Sequence, residues 1–374
     1  MNEIKNKRVA IVHDWLTAYG GAEVVLSHII NLFSNVDLFC ILKDSRNEIL
    51  KNKNIRNTHQ SYLQNIPRIT RNYKFFASLM PKAVESFDLR KYDIIVTSSW
   101  AFSHGVYQKS INTKHLAYIH TPMRWAWDME DDYLKIESFT HGLRPIIKWQ
   151  LNKLRHWDRL AAKNPDKLIA NSKFVQHRIK NNWNRDSLVI YPPVEVPEIS
   201  AANYHGAFVS LSRLVPYKRV DIIINAFHKL PEKKLIVIGS GSQLQKLKMN
   251  APKNVNFVEN VSNVQKFRIL KGALGLIQAS KEDFGISVVE AQALGIPVLA
   301  YDEGGARETV LDMNKSNKPT GLLFKYQNED SLIQAILEFS KIKFEPKDCK
   351  NHAKKFSAGN FKAKMANVIN TLTS

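Results

Sequence analysis

Residues 273–301 read ALGLIQASKEDFGISVVEAQALGIPVLAY. The apolar run Ala273–Ala279 has strand length, Ile286–Leu294 carries apolar residues at helical spacing, and Pro297–Tyr301 is a second short apolar run. Strand, helix and strand within one such stretch predict a crossover unit and a parallel sheet. The same rhythm surrounds it. Strands are expected at Ala207–Leu211, Lys234–Gly239, Val255–Val258 and Leu322–Phe324. Helices are expected at Val220–Leu230, Ser242–Met249, Val264–Leu270, Ala306–Leu311 and Glu329–Ser340.

The amino-terminal half repeats the pattern. Arg8–His13, Val36–Leu42, Asp93–Ser98, Lys114–His120, Lys167–Ala170 and Ser187–Tyr191 are strand-like, and Ala22–Phe33 and Ile146–Ala162 are helical. Asn171-Ser172 supplies a cap for a further helix. Prolines 192, 193 and 197 mark the segment from Tyr191 to Ala202 as a linker. With 374 residues the chain is too long for one ordinary core. The expectation is an α/β chain of two Rossmann-like domains, residues 1–195 and 196–355, facing across a cleft. Such sheets bind ligands where strand carboxyl ends meet helix amino termini.

Composition narrows the class. Apolar residues make up 44% and aromatics 10%, an ordinary globular mix. The apolar runs are far shorter than the about 20 residues a bilayer span needs. Cys40 and Cys349 stand far apart, which argues against a disulfide framework or a zinc cluster and suits a reducing compartment. The formal charge of +20 is shared, +11 on residues 1–195 and +9 on the rest. That balance favours anionic partners without choosing among nucleic acid, phosphorylated ligands and an acidic membrane.

The sharpest chemistry lies in Glu282-Asp-Phe-Gly-Ile-Ser-Val-Val-Glu290. Glu282 falls in a strand–helix loop and Glu290 in the second helical turn. Between them, backbone N–H groups of Phe284, Gly285, Ile286 and Ser287 sit at a helix start and suit sugar hydroxyls or phosphate oxygens. An acidic first turn also occurs simply because the helix dipole favours it. Ser212-Arg213-Leu-Val-Pro-Tyr-Lys218 follows a strand, where Arg213 and Lys218 are placed for a diphosphate. Gly239-Ser-Gly241 is a weak glycine turn, with a plain tight turn as its rival. Gly304-Gly305 precedes a short helix. In the first half, Gly20-Gly21 begins a helix after a strand, and His120-Thr-Pro-Met-Arg124 follows another.

At these positions the sequence resembles the GT-B glycosyltransferases of family 4, a large retaining group, over nearly its whole length. The amino-terminal segments HDWLTAYGGAE, ESFDLRKYD, YIHTPMRWAWD and ANS…VIYPPVE resemble a bacterial subgroup of mannosyltransferases. Members of that subgroup often use GDP-mannose in surface polysaccharide assembly, lipopolysaccharide included. The resemblance implies that Arg213 and Lys218 bind the donor diphosphate and that Glu290 holds the ribose. It implies that Glu282, with the backbone of Phe284, Gly285 and Ile286, holds the sugar. His120 would contact the sugar near the reacting carbon, and Gly20, Gly21, Gly239, Gly304 and Gly305 would line the donor. It further implies front-face substitution, a terminal helix of about 356–374 crossing back to domain one, and no metal or other cofactor. Asp-x-Asp, the metal–diphosphate motif of the other main glycosyltransferase fold, does not occur in the chain.

Residues 62–91 combine basic and aromatic side chains. They suit either an anionic bilayer, with Arg68, Arg71, Lys74 and Arg124 on the acceptor or membrane side, or a core helix with a solvated basic face. The expected partners are a nucleotide-sugar, a lipid-linked or oligosaccharide acceptor and an anionic membrane surface. The expected location is cytoplasmic, with peripheral attachment to the inner face of the membrane. Three alternatives remain: a UDP- or dTDP-sugar donor, a sugar-nucleotide epimerase or phosphorylase, and a basic nucleic-acid-binding protein. The last lacks a recognition-helix, RRM or zinc signature.

Overall fold

A computed structural model describes residues 7–130, 144–199 and 203–373. The chain divides into two units, Met1–Pro193 with Ala358–Ser374, and Val194–Ser357.

In the first unit seven strands form one sheet: β1 (Val9–Leu16), β2 (Val36–Lys43), β3 (Ile55–Gln60), β4 (Ile94–Ser99), β5 (Lys114–Ile119), β6 (Lys167–Ala170) and β7 (Leu188–Val189). Their order is β3-β2-β1-β4-β5-β6-β7, and every pairing is parallel. The central β1 is buried along all eight residues, as expected where helices cover both faces. β1 does not stop at His13, as the apolar pattern suggests. It continues to Leu16 because its two polar side chains find partners inside the fold.

Helix Gly21–Ile30 buries Val25, Leu26, Ile29 and Ile30 on one face. Helix Lys173–Trp183 starts at Ser172, whose hydroxyl accepts from Val175 N–H, as the cap reading anticipates. Residues 62–85 do not form one core helix. They make a chain of short turns, interrupted at Phe76 by non-helical backbone.

The helix Ala358–Thr373 belongs to this first unit. Phe361, Met365 and Ile369, at i, i+4 and i+8, enter the same core as Ile11, Leu26, Val96 and Tyr118. The rings of Tyr118 and Phe361 lie 5.8 Å apart. Phe361→Ala is expected to cost about 3–5 kcal/mol. All seven tryptophans fall between Trp15 and Trp183, so a urea titration followed by tryptophan fluorescence reports this unit alone. A midpoint shift worth less than about 1 kcal/mol would show that the helix is not integral to the unit.

The second unit holds β8 (Phe208–Leu211), β9 (Leu235–Ile238), β10 (Val255–Val258), β11 (Gly275–Gln278), β12 (Val298–Tyr301) and β13 (Gly321–Phe324). The order is β10-β9-β8-β11-β12-β13, again parallel throughout. In both sheets the chain runs outward from a central strand, then returns to that strand's other side. The reversal falls between β1 and β4 in one unit and between β8 and β11 in the other. Loops part at such a reversal and leave a crevice at the strand carboxyl ends.

Candidate active site

In the second unit, β8 leads into Ser212 and Arg213, while β11 leads into Ser280 and Glu282. The reversal point therefore brings together the basic and acidic segments singled out in the sequence. Lys218 Nζ is ion-paired with Glu282 Oε1, which also accepts the Ser280 hydroxyl at 2.6 Å. A small polar pocket opens here, lined by Ser210, Ser212, Lys218, Gln278, Ser280, Glu282 and Ser287 among others. Ser212 Oγ and Gln278 Oε1 are buried without a hydrogen-bond partner. Buried polar atoms are nearly always partnered, so two orphans on one pocket wall mark a place for a polar ligand.

Two glycines fix the acidic loop. Gly304 has φ +69, and a Cβ there would stand 2.2 Å from the Glu282 carbonyl oxygen. At Gly305 a Cβ would stand 2.4 Å from Phe284 Cα. Gly305 N–H donates to Glu282 O at 2.8 Å, and Glu282 and Gly304 form a parallel bridge. The pair thus lets two loops lie edge to edge and sets where the Glu282 carboxylate stands. Gly239 follows the same logic. Its Cβ would meet Ser212 O at 2.0 Å, so the turn packs directly against the basic loop and braces it.

Gly285 caps helix Ile286–Ala293 with left-handed backbone, φ +90. Phe284 is buried with its ring 5.4 Å from Phe356. Glu290 lies deeper in that helix and pairs with Lys266 Nζ at 2.9 Å. Burial raises the Glu290 pKa, and Lys266 opposes that rise. Arg213 is exposed and donates to the Tyr217 hydroxyl at 2.6 Å. Lys266, Ser210, Ser280 and Gln278 carry no sequence signal of their own, since each reads as an ordinary helix or strand-end residue.

In the first unit Gly20 donates its N–H to Glu23 Oε2 at 2.8 Å, so that donor serves the loop itself. Gly21 opens the following helix. His120 stands just past β5 and is buried. Its Nε2 lies 2.9 Å from Ser98 Oγ. Burial first, and His13 second, lower its pKa to about 3, so the ring is neutral near pH 7. Asp14, fully buried, accepts four backbone N–H bonds, from Trp100, Ala101, Phe102 and Ser103 at 2.6–2.9 Å. A carboxylate inside an apolar strand run is the signal that could have revealed it.

A Ser-His-Asp line also occurs here. Ser99 Oγ lies 3.0 Å from His104 Nδ1, and His104 Nε2 lies 3.2 Å from Asp158 Oδ1. All three are buried, and Asp158 Oδ2 accepts the indole N–H of both Trp127 and Trp183. No substrate reaches such a serine, so the line is a core cross-link and not a hydrolase triad.

Arg68 and Arg71 are exposed, and Arg68 has left-handed backbone. Arg124 is half-buried in the turn after β5. The Lys74 side chain lies outside the described residues. Phe75 and Tyr62 are exposed beside the arginines, while Leu63, Ile69, Met80 and Val84 enter the core. No described helix is long and apolar enough to cross a membrane.

Two family models match the chain side by side. Glycosyltransferase Family 4 covers residues 19–197 and Glycosyl transferases group 1 covers residues 201–356. An uncharacterised glycosyltransferase of Methanocaldococcus jannaschii is 27% identical over 227 residues, 58% of this chain and 62% of that protein. A GDP-mannose-dependent phosphatidylinositol monomannoside mannosyltransferase of Corynebacterium glutamicum is 32% identical over 142 residues, 34% of this chain and 36% of that protein. The chain thus spans less than two thirds of the length of these relatives. The Anabaena HepE structure, solved with UDP and glucose, has a TM-score of 0.69 at 17% identity, covering 98% of this chain and all of that one. That likeness shows the fold. With both units matched in turn by glycosyltransferase models and the fold shared with a GT-B structure, the chain is a GT-B glycosyltransferase of the family 4 and group 1 type.

Proposed function

We propose that this protein transfers a sugar from a nucleotide-sugar, with retention at the anomeric carbon, to a lipid-linked or oligosaccharide acceptor in cell-surface polysaccharide synthesis. The observation that carries the reading is the Lys218–Glu282 pair at the sheet reversal, beside the unpartnered Ser212 and Gln278. A cation for a diphosphate and a carboxylate for sugar hydroxyls share one polar pocket. In the reaction the bond from the anomeric carbon to the diphosphate oxygen breaks, and the nucleoside diphosphate leaves with the electron pair. The acceptor oxygen bonds on the same face, and its proton passes to the departing phosphate. Lys218 and Arg213 offset the charge that grows on the leaving group, which assigns that work to side chains instead of a metal. Glu290 holds the ribose, and the backbone of Phe284, Gly285 and Ile286 meets the sugar.

Mannose from GDP-mannose is the donor we favour, on the strength of the amino-terminal motifs and the Corynebacterium relative's description. A UDP-sugar is the second reading, suggested by the HepE structure with UDP and glucose. Attachment to an anionic bilayer through the exposed Tyr62, Arg68, Arg71 and Phe75 brings a lipid-linked acceptor within reach.

A thermal-shift series with GDP, UDP, dTDP and ADP and their sugars, in EDTA, tests the donor. Ligand at about 100 times its dissociation constant adds about 2.7 kcal/mol. A shift with GDP species supports mannose, and one with UDP species replaces it. No shift with any nucleotide sinks the transferase reading. A shift that needs a divalent metal sinks the side-chain electrostatics. Release of free nucleotide together with a glycosylated acceptor separates transfer from epimerisation.

A further inference from the structure

The first sheet also reverses, between β1 and β4, and a buried polar chain crosses that point. His13 and Ser98 are register partners on the two strands. His13 Nδ1 lies 3.0 Å from the Ser98 carbonyl oxygen and 3.1 Å from Ser98 Oγ. Ser98 Oγ lies 2.9 Å from His120 Nε2. On the other side, His13 Nε2 stands 3.6 Å from Glu23 Oε1, and Glu23 takes the Gly20 N–H.

The hydrogens can be placed by elimination. A carbonyl oxygen only accepts, so His13 Nδ1, facing one, carries a hydrogen. That holds whether His13 is neutral or charged. Ser98 Oγ therefore meets a donor on its His13 side. Ser98 is fully buried, and its hydroxyl hydrogen must find an acceptor. His120 Nε2 is the acceptor within reach. A neutral imidazole accepting at Nε2 bears its hydrogen on Nδ1.

We propose that Ser98 is a positioning residue: its hydroxyl donates to His120 Nε2, locks His120 as the Nδ1–H tautomer, and so makes His120 a hydrogen-bond donor toward a substrate oxygen at the carboxyl end of the first sheet. The ring then serves catalysis by orientation and not by proton transfer, because Nε2 is occupied by an internal donor. Serine is suited to this post, since one small hydroxyl accepts from one histidine and donates to the next. The catalytic consequence rests on the sugar-transfer reading, whereas the tautomer does not.

Two-bond 1H–15N spectra of histidine-labelled protein, with His120 assigned through His120→Gln, test the tautomer directly. In the wild type Nδ1 is expected to show the protonated-type nitrogen shift and Nε2 the bare-type shift. Ser98→Ala is expected to move His120 toward Nε2–H or a mixture and to lower kcat about tenfold, equivalent to about 1.4 kcal/mol. The donor KM should stay within about twofold, because the fault lies in orientation and not in binding. Ser98→Thr restores both the tautomer and the rate. A wild-type His120 protonated on Nε2 overturns the proposal even if Ser98→Ala fails to fold. So does a Ser98→Ala spectrum that keeps pure Nδ1–H. If the spectra follow expectation while no nucleotide-sugar is turned over, the tautomer lock stands and the transferase reading falls.

Discussion

Lys218→Ala should lower turnover by about two to three orders of magnitude, the loss typical when one preorganised charge facing a transition state is removed. The melting temperature should fall by only a few degrees. The contrast follows from where Lys218 stands. It lies on the loop after β8, on a wall of the polar pocket, and its ammonium meets Glu282 there. The fold keeps its cores without it, since neither core cluster of that unit includes Lys218. On the proposed reading, what disappears is the cation that neutralises the departing diphosphate. Initial rates against donor concentration, with melting measured on the same preparations, decide the matter. Activity within threefold of wild type would falsify the assignment. So would a loss that merely tracks the unfolded fraction.

Asp14→Asn should destabilise the first unit by about 3–5 kcal/mol, as much as the loss of a large core side chain. The carboxylate is fully buried and accepts from four successive backbone N–H groups. An asparagine presents an amide donor to two of those donors, so one side of the cradle loses its bonds and gains repulsion. Each buried N–H left unpaired costs about 1–3 kcal/mol. Tryptophan fluorescence in urea reads the change in the first unit, and Trp15 and Trp100, 4.3 Å apart, flank the cradle itself. An unchanged midpoint would mean that the loop 100–103 finds other acceptors at no cost.

The sheets were legible because a parallel strand covered on both faces leaves a short apolar run between polar turns. The run at Gly275–Gln278 and its neighbours are of this kind. β3 was not legible: Ile55–Gln60 is an edge strand of exposed and half-buried, mainly polar residues, so no apolar run marks it. Helix Pro346–Ala353 escaped for a related reason. Its buried face is made by Cys349, His352 and Ala353, residues that seldom announce a core. In the site, the segments Arg213–Lys218 and Glu282–Glu290 stood out in the sequence. Which lysine meets which glutamate was not readable, because Lys266 reaches Glu290 from a different helix. Ser98 was invisible for the same cause, since a serine at a strand end gains meaning only when two histidines arrive from β1 and from beyond β5.

The return of helix 358–373 to the first unit reverses the order of completion on the ribosome. Residues 194–357 form a continuous segment with its own sheet, so that unit can close as soon as it emerges. The unit synthesised first waits longest, because Phe361, Met365 and Ile369 reach its core last. Until then Leu26, Ile29 and Tyr118 lack their final cover. During synthesis the older half is therefore the one that keeps apolar core surface open longest.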